Sequence, residues 1–292
     1  MNHLENPREA VPERPNPLGM EGIEFIEYAT SKPQALGKVL ESMGFMPVAR
    51  HRSREVTLYR QGGMNLIVNV QPDDARLSAA SGGRPVISAV AFRVRDALKA
   101  HARCLALGAW EVSSHAQAME LHIPAIHGPG GTRYYFVDRW KEFSIYSIDF
   151  TPIPTVDPFP PALAGTDYFG VVQYIGHSRS EDWMAYYENM FGFEQIPDEQ
   201  RFGILPKGKL MKSPCGKFLW QLIEPDSGVS PFDDRESLER IGIGVADVNK
   251  AVAVLKARGV EFVESEHLHP EDRGALTRTE LGSVSFELVH LT

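Results

Sequence analysis

Four groups of residues have types and spacing that could do chemistry. His267 and His269 flank Leu268, so an extended backbone puts both imidazoles on one face, as a metal pair requires. The Pro-Glu-Asp-Arg run that follows them is charged and turn-like, which reads instead as a solvated loop. Gln173 and Gln221 lie in the strand-like runs 168–175 and 217–223, where every second side chain faces inward. A Gln so placed is first a hydrogen-bonding residue and only then a metal ligand. Gly128-Pro-Gly-Gly131 lacks the Lys and the strand–helix flanks of a phosphate loop, so it reads as a turn. Trp183, Tyr186 and Tyr187 at helical spacing read as core. No Ser/His/Asp or Cys/His constellation stands out.

The elements that position these residues are organised as a repeat. Residues 88–112 (SAVAFRVRDALKAHARCLALGAWEV) lie over 239–263 (ERIGIGVADVNKAVAVLKARGVEFV) at a shift of 151 without a gap, matching Asp96 with Asp247 and Gly108 with Gly259. Each copy reads as a strand, an Asp that caps a helix, an amphipathic helix, a Gly stop and a second strand. The same shift lays 131–139 over 282–290, the last strand of each half. Two tandem modules are expected, and 292 residues suffice for two cores. The boundaries read as a tail at 1–21, a first module at 22–150, a Pro-rich linker at 151–164 and a second module at 165–292. Strands are expected at 23–29, 56–60, 64–70, 120–124 and 132–138 in the first module. In the second they are expected at 168–175, 202–212, 217–223 and the last segment. Helices are expected at 33–43, 73–80 and 181–190. The prolines of 150–165 argue against any sheet there.

Charge and composition remove several function classes. A net charge of −8, a pI of 5.7 and no Lys/Arg stripe argue against nucleic acid. The longest apolar runs are too short to cross a bilayer, and the first residues carry no apolar signal region. Cys104 and Cys215, one per module, fit a reducing compartment, so cytoplasmic is the default expectation. A homo-oligomer is left open.

Several runs carry a family resemblance: Asn16-Pro-Leu-Gly, Gly22-Ile-Glu-Phe-Ile-Glu-Tyr, His51-Arg-Ser, Leu58-Tyr-Arg-Gln-Gly, Asn65-Leu-Ile-Val-Asn, Met119-Glu-Leu-His-Ile-Pro-Ala-Ile and Tyr146-Ser-Ile-Asp-Phe. In the second half, Met211 and Ser213-Pro-Cys-Gly-Lys continue it. The chain resembles the vicinal-oxygen-chelate superfamily and, within it, 4-hydroxyphenylpyruvate dioxygenase. The resemblance implies an α+β fold of two modules, each of paired β-α-β-β-β units forming a curled, cup-like mixed sheet. It also implies a first module without catalytic residues, so His51, His122 and His127 read as structural or interfacial.

The resemblance further implies Fe(II) held by two His and one carboxylate of the second module. Glu287, in Ser285-Phe-Glu-Leu, matches the carboxylate and is the only retained family ligand. Counting back from Ala246-Asp247 puts Arg240 at the second His. The strand of the first His contains none: anchoring on Asp167 gives Tyr168, and anchoring on the Gly-Phe helix end gives Gly170 or Val171. A guanidinium has no lone pair for a metal. The family's substrate-contacting Ser and Asn are matched by Gly208 and Ile223, the Gln before the second His by Glu239, and the closing C-terminal helix is missing.

Three readings follow. In the first, the second cup binds a small anionic organic ligand, an aromatic or 2-oxo acid, without any cofactor. Its binding residues are Arg240, Glu287, Tyr168, Gln173 and Gln221, with Glu287 paired to the Arg240 guanidinium and orienting it. In the second, Fe(II) is retained at a rearranged site built on Glu287 with Gln173, Gln221 or His177. In the third, the chain is a silent partner of a 3-dehydroshikimate dehydratase, since a similar two-module unit occurs fused to such enzymes.

Overall fold

The computed structural model describes residues 15–70, 82–113, 120–141, 143–197, 208–225, 236–263 and 274–291. The helix expected at 73–80, the His267–His269 pair and the first part of the strand expected at 202–212 lie outside them, as do residues 1–14. The first module runs β1 (Met20–Ala29), α1 (Pro33–Ser42), β2 (Met46–His51), β3 (Val56–Gln61), β4 (Met64–Asn69), β5 (Val86–Val94), α2 (Ala97–Ala106), β6 (Ala125–His127), β7 (Arg133–Val137), a short α3 (Ile145–Asp149) and β8 (Phe150–Pro152). The second runs β9 (Asp167–Tyr174), α4 (Ser180–Phe191), β10 (Glu194–Ile196), β11 (Lys209–Lys212), β12 (Leu219–Ile223), β13 (Ser237–Val245), α5 (Val248–Ala257), β14 (Gly274–Leu276) and β15 (Phe286–His290).

Local chemistry starts and stops these elements where the repeat places them. Asp96 and Asp247 sit in extended backbone before α2 and α5, and each carboxylate accepts from the amide three residues on, Lys99 and Lys250, at 2.9 Å. Gly192 closes α4 in the left-handed region, at φ +75°.

Both sheets are mixed. The first has the order β6-β7-β5-β1-β4-β3-β2-β8, the second β10-β11-β12-β9-β13-β15-β14. Read from its other edge, the second repeats the first strand for strand and lacks only β8. One detail of the repeat is corrected. Val90 pairs with Tyr134 in the first sheet and Ile241 with Phe286 in the second, so β5 and β13 are offset by 151 residues but β7 and β15 by 152. The ungapped shift therefore puts the last strand one residue out, which in a strand exchanges its faces.

Two further expectations change. Glu120–Pro124 is irregular, and the strand pairing with β7 is Ala125–His127. The Pro-rich segment does enter a sheet at its start. Thr151 and Pro152 of β8 pair with Arg50 and Ala49 of β2. An edge strand leaves one side unpaired, and proline is tolerated there.

One face of each sheet carries the long helices, and these faces merge into one core. That core holds Ile87, Val90, Phe92, Tyr134 and Phe136 of the first module with Tyr187, Phe191, Trp220, Ile241 and Phe286 of the second. The opposite, concave faces stay separate. The first is filled by Phe25, Val48, Val56, Leu58, Ile67, Ala91, Val137, Ile145 and Phe150, the second by Ile196, Leu210, Leu219 and Val289 with Phe169. These concave faces are the two cups.

Candidate functional site

Strand alternation fixes what lines the second cup. On β13 the core takes Leu238, Ile241, Ile243 and Val245, which leaves Arg240, Gly242 and Gly244 on the cup side. On β15 it takes Phe286 and Leu288, leaving Glu287 and Val289; on β12 it takes Trp220 and Leu222, leaving Leu219, Gln221 and Ile223. Strand pairing then sets these residues in two transverse rows. Gln221 stands opposite Val172, and Val172 opposite Arg240. In the next row Leu219, Gly170, Gly242, Glu287 and Leu276 follow one another across five strands. Arg240, Gln221 and Glu287 thus share the cup face in adjoining rows. All three are buried.

The expected Arg240–Glu287 pairing is not made. Nε and Nη2 of Arg240 are buried and form no hydrogen bond. Arg240 lies opposite Val172, while Glu287 lies opposite Gly242 in the neighbouring row. The cup is also tightly filled. The space enclosed by Phe169, Gly170, Val172, Leu210, Leu219, Gln221, Gly242, Glu287 and their neighbours is about 10 Å³, roughly one water.

Gln173 and Tyr168 belong to the other face, which corrects their place in the cup. Register shifts between β9 and β13, beside Leu238/Arg240 and Gly242/Ile243, decide which parity of β9 faces inward. Gly170 and Val172 face the cup; Tyr168, Val171 and Gln173 face the shared core. The Gln173 carbonyl accepts from the Tyr187 hydroxyl at 2.6 Å and the Trp220 indole at 2.9 Å, and Tyr187 in turn meets Tyr134 of the first module at 2.7 Å. The Tyr168 hydroxyl donates to the Asn65 carbonyl, and burial holds its pKa well above that of a free phenol. Both residues join the modules. His177 lies past the end of β9, in a separate cleft of about 420 Å³ lined with Gly130, Gly176, Arg179 and Glu236.

The Fe(II) that the resemblance implies does not fit these residues. Of the three positions considered for the first His, only Gly170 faces the cup. A Cβ there would sit 2.4 Å from the Leu219 carbonyl oxygen, so no side chain enters without moving β12. The other inward position of β9, Val172, has no donor atom. At the second His position stands a cation. Glu287 and Gln221 remain, and among the described residues no three His, Cys, Asp or Glu side chains converge. Two neutral imidazoles and a carboxylate are what such a site needs.

The first cup holds buried charges of its own, at Glu24 and Glu27. Glu27 receives Arg133 at 2.8 Å and the Ser88 hydroxyl at 2.7 Å. A bulge between Ile23 and Phe25 takes Glu24 out of alternation, and its carboxylate pairs with Arg93. The signal available was two glutamates in one apolar strand, each of which must find a partner when buried. Cys104 is buried, which pushes its thiol up to about 12, and neither Cys104 nor Cys215 is in a disulfide. Among the described residues no helix is long and apolar enough to cross a membrane.

Residues 15–151 match the family model described as hydroxyphenylpyruvate dioxygenase, HPPD, N-terminal. The chain is 41% identical over 265 residues to 4-hydroxyphenylpyruvate dioxygenase of Pseudomonas sp. (strain P.J. 874), covering 85% of this chain and 72% of that protein. It is 30% identical over 279 residues to 3-dehydroshikimate dehydratase of Pseudomonas aeruginosa, covering 90% of this chain but 43% of that one. Among solved structures it superposes on a xylose isomerase-like TIM barrel/4-hydroxyphenylpyruvate dioxygenase fusion protein with a TM-score of 0.75 at 21% identity. There it covers 98% of this chain and spans about half the length of the fusion.

Proposed function

We propose a function from one premise, that the chain belongs to the 4-hydroxyphenylpyruvate dioxygenase family. It is a member that does not run iron-dependent oxygenation; its second cup receives a small organic acid without a metal. The observation that carries this reading is the donor set of the cup. A buried Arg240 and a glycine that tolerates no Cβ occupy the positions considered for imidazoles, beside one retained carboxylate, Glu287. A permanent cation in the cup opposes a divalent metal and favours an anion.

The test is metal content together with oxygen uptake. Protein purified in excess Fe(II) and passed through gel filtration is expected to carry well under one iron per chain. It is also expected to consume no oxygen with 4-hydroxyphenylpyruvate. One iron per chain that supports oxygen uptake would overturn the reading in favour of a rearranged iron site on Glu287 and Gln221.

A second reading has one specific observation in its favour. Chains that combine a unit similar to this one with further sequence include a dehydroshikimate dehydratase and a TIM-barrel fusion. In that reading the protein is a non-catalytic companion of such an enzyme, and co-purification with a dehydratase from the native cell is the observation that would support it.

A further inference from the structure

We propose that one edge of the Arg240 guanidinium is a carboxylate receptor and that the second cup takes an apolar monocarboxylate. The proposal rests on the iron-free reading above and names the ligand class for it. Arg240 is only 6% exposed, and the nitrogens that form no hydrogen bond are Nε and Nη2. These two lie on the same side of the planar fork. Their N–H bonds run parallel, and a single carboxylate accepts both at once. A buried cation with that edge unpartnered is the complement of a bidentate anion, because buried donors without acceptors are costly and therefore rare.

The surroundings choose among anions. Opposite Arg240 on β9 stands Val172, which offers no acceptor. The nearby walls, Phe169, Leu210, Leu219 and Val289, are apolar and suit a hydrocarbon or aromatic remainder. Glu287, 1% exposed, lies in the adjoining row on β15. Its carboxylate makes a second negative charge on the ligand unfavourable, so dicarboxylates and phosphate are selected against. The enclosed space of about 10 Å³ is too small for any such acid. Binding therefore displaces wall side chains, and Leu210 of β11 and Leu219 of β12, which stand in neighbouring rows, are among those that line the space.

The experiment uses the whole chain in a buffer free of carboxylates and phosphate. Benzoate, succinate and inorganic phosphate are titrated by calorimetry and by thermal shift into the wild type, Arg240→Met, Arg240→Lys and Glu287→Gln. Benzoate is expected to bind the wild type one to one, with succinate and phosphate at least tenfold weaker. Arg240→Met should weaken benzoate about 100-fold or more. Arg240→Lys should recover only part, since an ammonium keeps the charge but not the fork. Glu287→Gln should narrow the gap between benzoate and succinate. Circular dichroism checks that each variant is folded, and the lysine variant keeps the test valid if the methionine variant is not. Benzoate bound equally by wild type and Arg240→Met would overturn the proposal. So would a folded, iron-free wild type that binds none of the three probes, a result that leaves the iron-free reading standing. Stoichiometric iron with oxygen uptake would instead remove that reading itself.

Discussion

The two cups are built on one strand order and solve the problem of buried charge in opposite ways. In the first, the row Ile67, Glu27, Ala89, Arg133 places a carboxylate and a guanidinium on strands either side of a small residue, so they meet over it. In the second, the matching row is Gln221, Val172, Arg240: the cation stands on the middle strand and its neighbour is a hydrocarbon. The adjoining rows differ as well. Phe25, Ala91 and Tyr135 of the first cup, with the two rings 5.9 Å apart, correspond to Gly170, Gly242 and Glu287 of the second. One cup is neutralised and plugged with aromatic rings. The other keeps an unsatisfied guanidinium edge, and an incomplete hydrogen-bond inventory in a buried site is what an absent ligand would complete.

Breaking the pair in the first cup should have the largest effect. Arg133→Met leaves Glu27 buried beside Ser88 alone, and a broken buried ion pair costs about 3–5 kcal/mol. Urea unfolding measures it, and benzoate affinity should stay unchanged. A loss below about 1 kcal/mol would mean that the Glu27–Arg133 pair is no more than a surface contact.

The shared core comes next. Gln173→Leu removes the acceptor of the Trp220 indole and of the Tyr187 hydroxyl, although Tyr187 keeps Tyr134. Leaving a buried donor unpartnered costs about 1–3 kcal/mol. Because Gln173 faces away from the second cup, ligand binding should not change with it. A specific loss of benzoate binding in this variant would return Gln173 to the site.

How much of this was legible in the sequence follows from the range of each signal. The helix caps at Asp96 and Asp247 and the order of elements rest on neighbouring residues, and the structure repeats them strand for strand. Arg240 and Glu287 could be brought to one cup because the resemblance matches both to ligand positions of the second module; a bulge beside Arg240 breaks the local alternation that would otherwise be needed. Gln173 could not, because the parity of β9 depends on bulges against β13 that no local pattern announces. The one-residue difference between the offsets of β13 and β15 has the same origin, an extra residue in the connection between them. The isolation of Arg240 from Glu287 is a matter of register, one row along the sheet, which sequence spacing does not carry.

The smallest effect is expected outside both cups, at the start of α4. Glu224 accepts from the amides of Ser178 and Ser180 and from the Ser180 hydroxyl, and the Ser180 hydroxyl bond above all holds its pKa below the ordinary carboxylate value. A depressed folded pKa gives stability that is present above the unfolded value and lost as pH falls through the folded one. Glu224→Ala should therefore cost about 0.5–1 kcal/mol at neutral pH, as loss of a helix cap does. The difference from wild type should shrink on acidification below pH ~4, and a difference that grows in acid would contradict the assignment.

The contrast between the cups is tested most directly by the unfolding free energy of Arg240→Met in carboxylate-free buffer, set beside that of Arg133→Met. If Arg240 is an unpartnered cation awaiting an anion, methionine keeps its bulk and removes two unsatisfied donors. The variant should then be more stable than the wild type, by about 1 kcal/mol or more. A loss of about 3–5 kcal/mol, like that expected of Arg133→Met, would show that Arg240 is already paired and that the second cup is closed in the same way as the first.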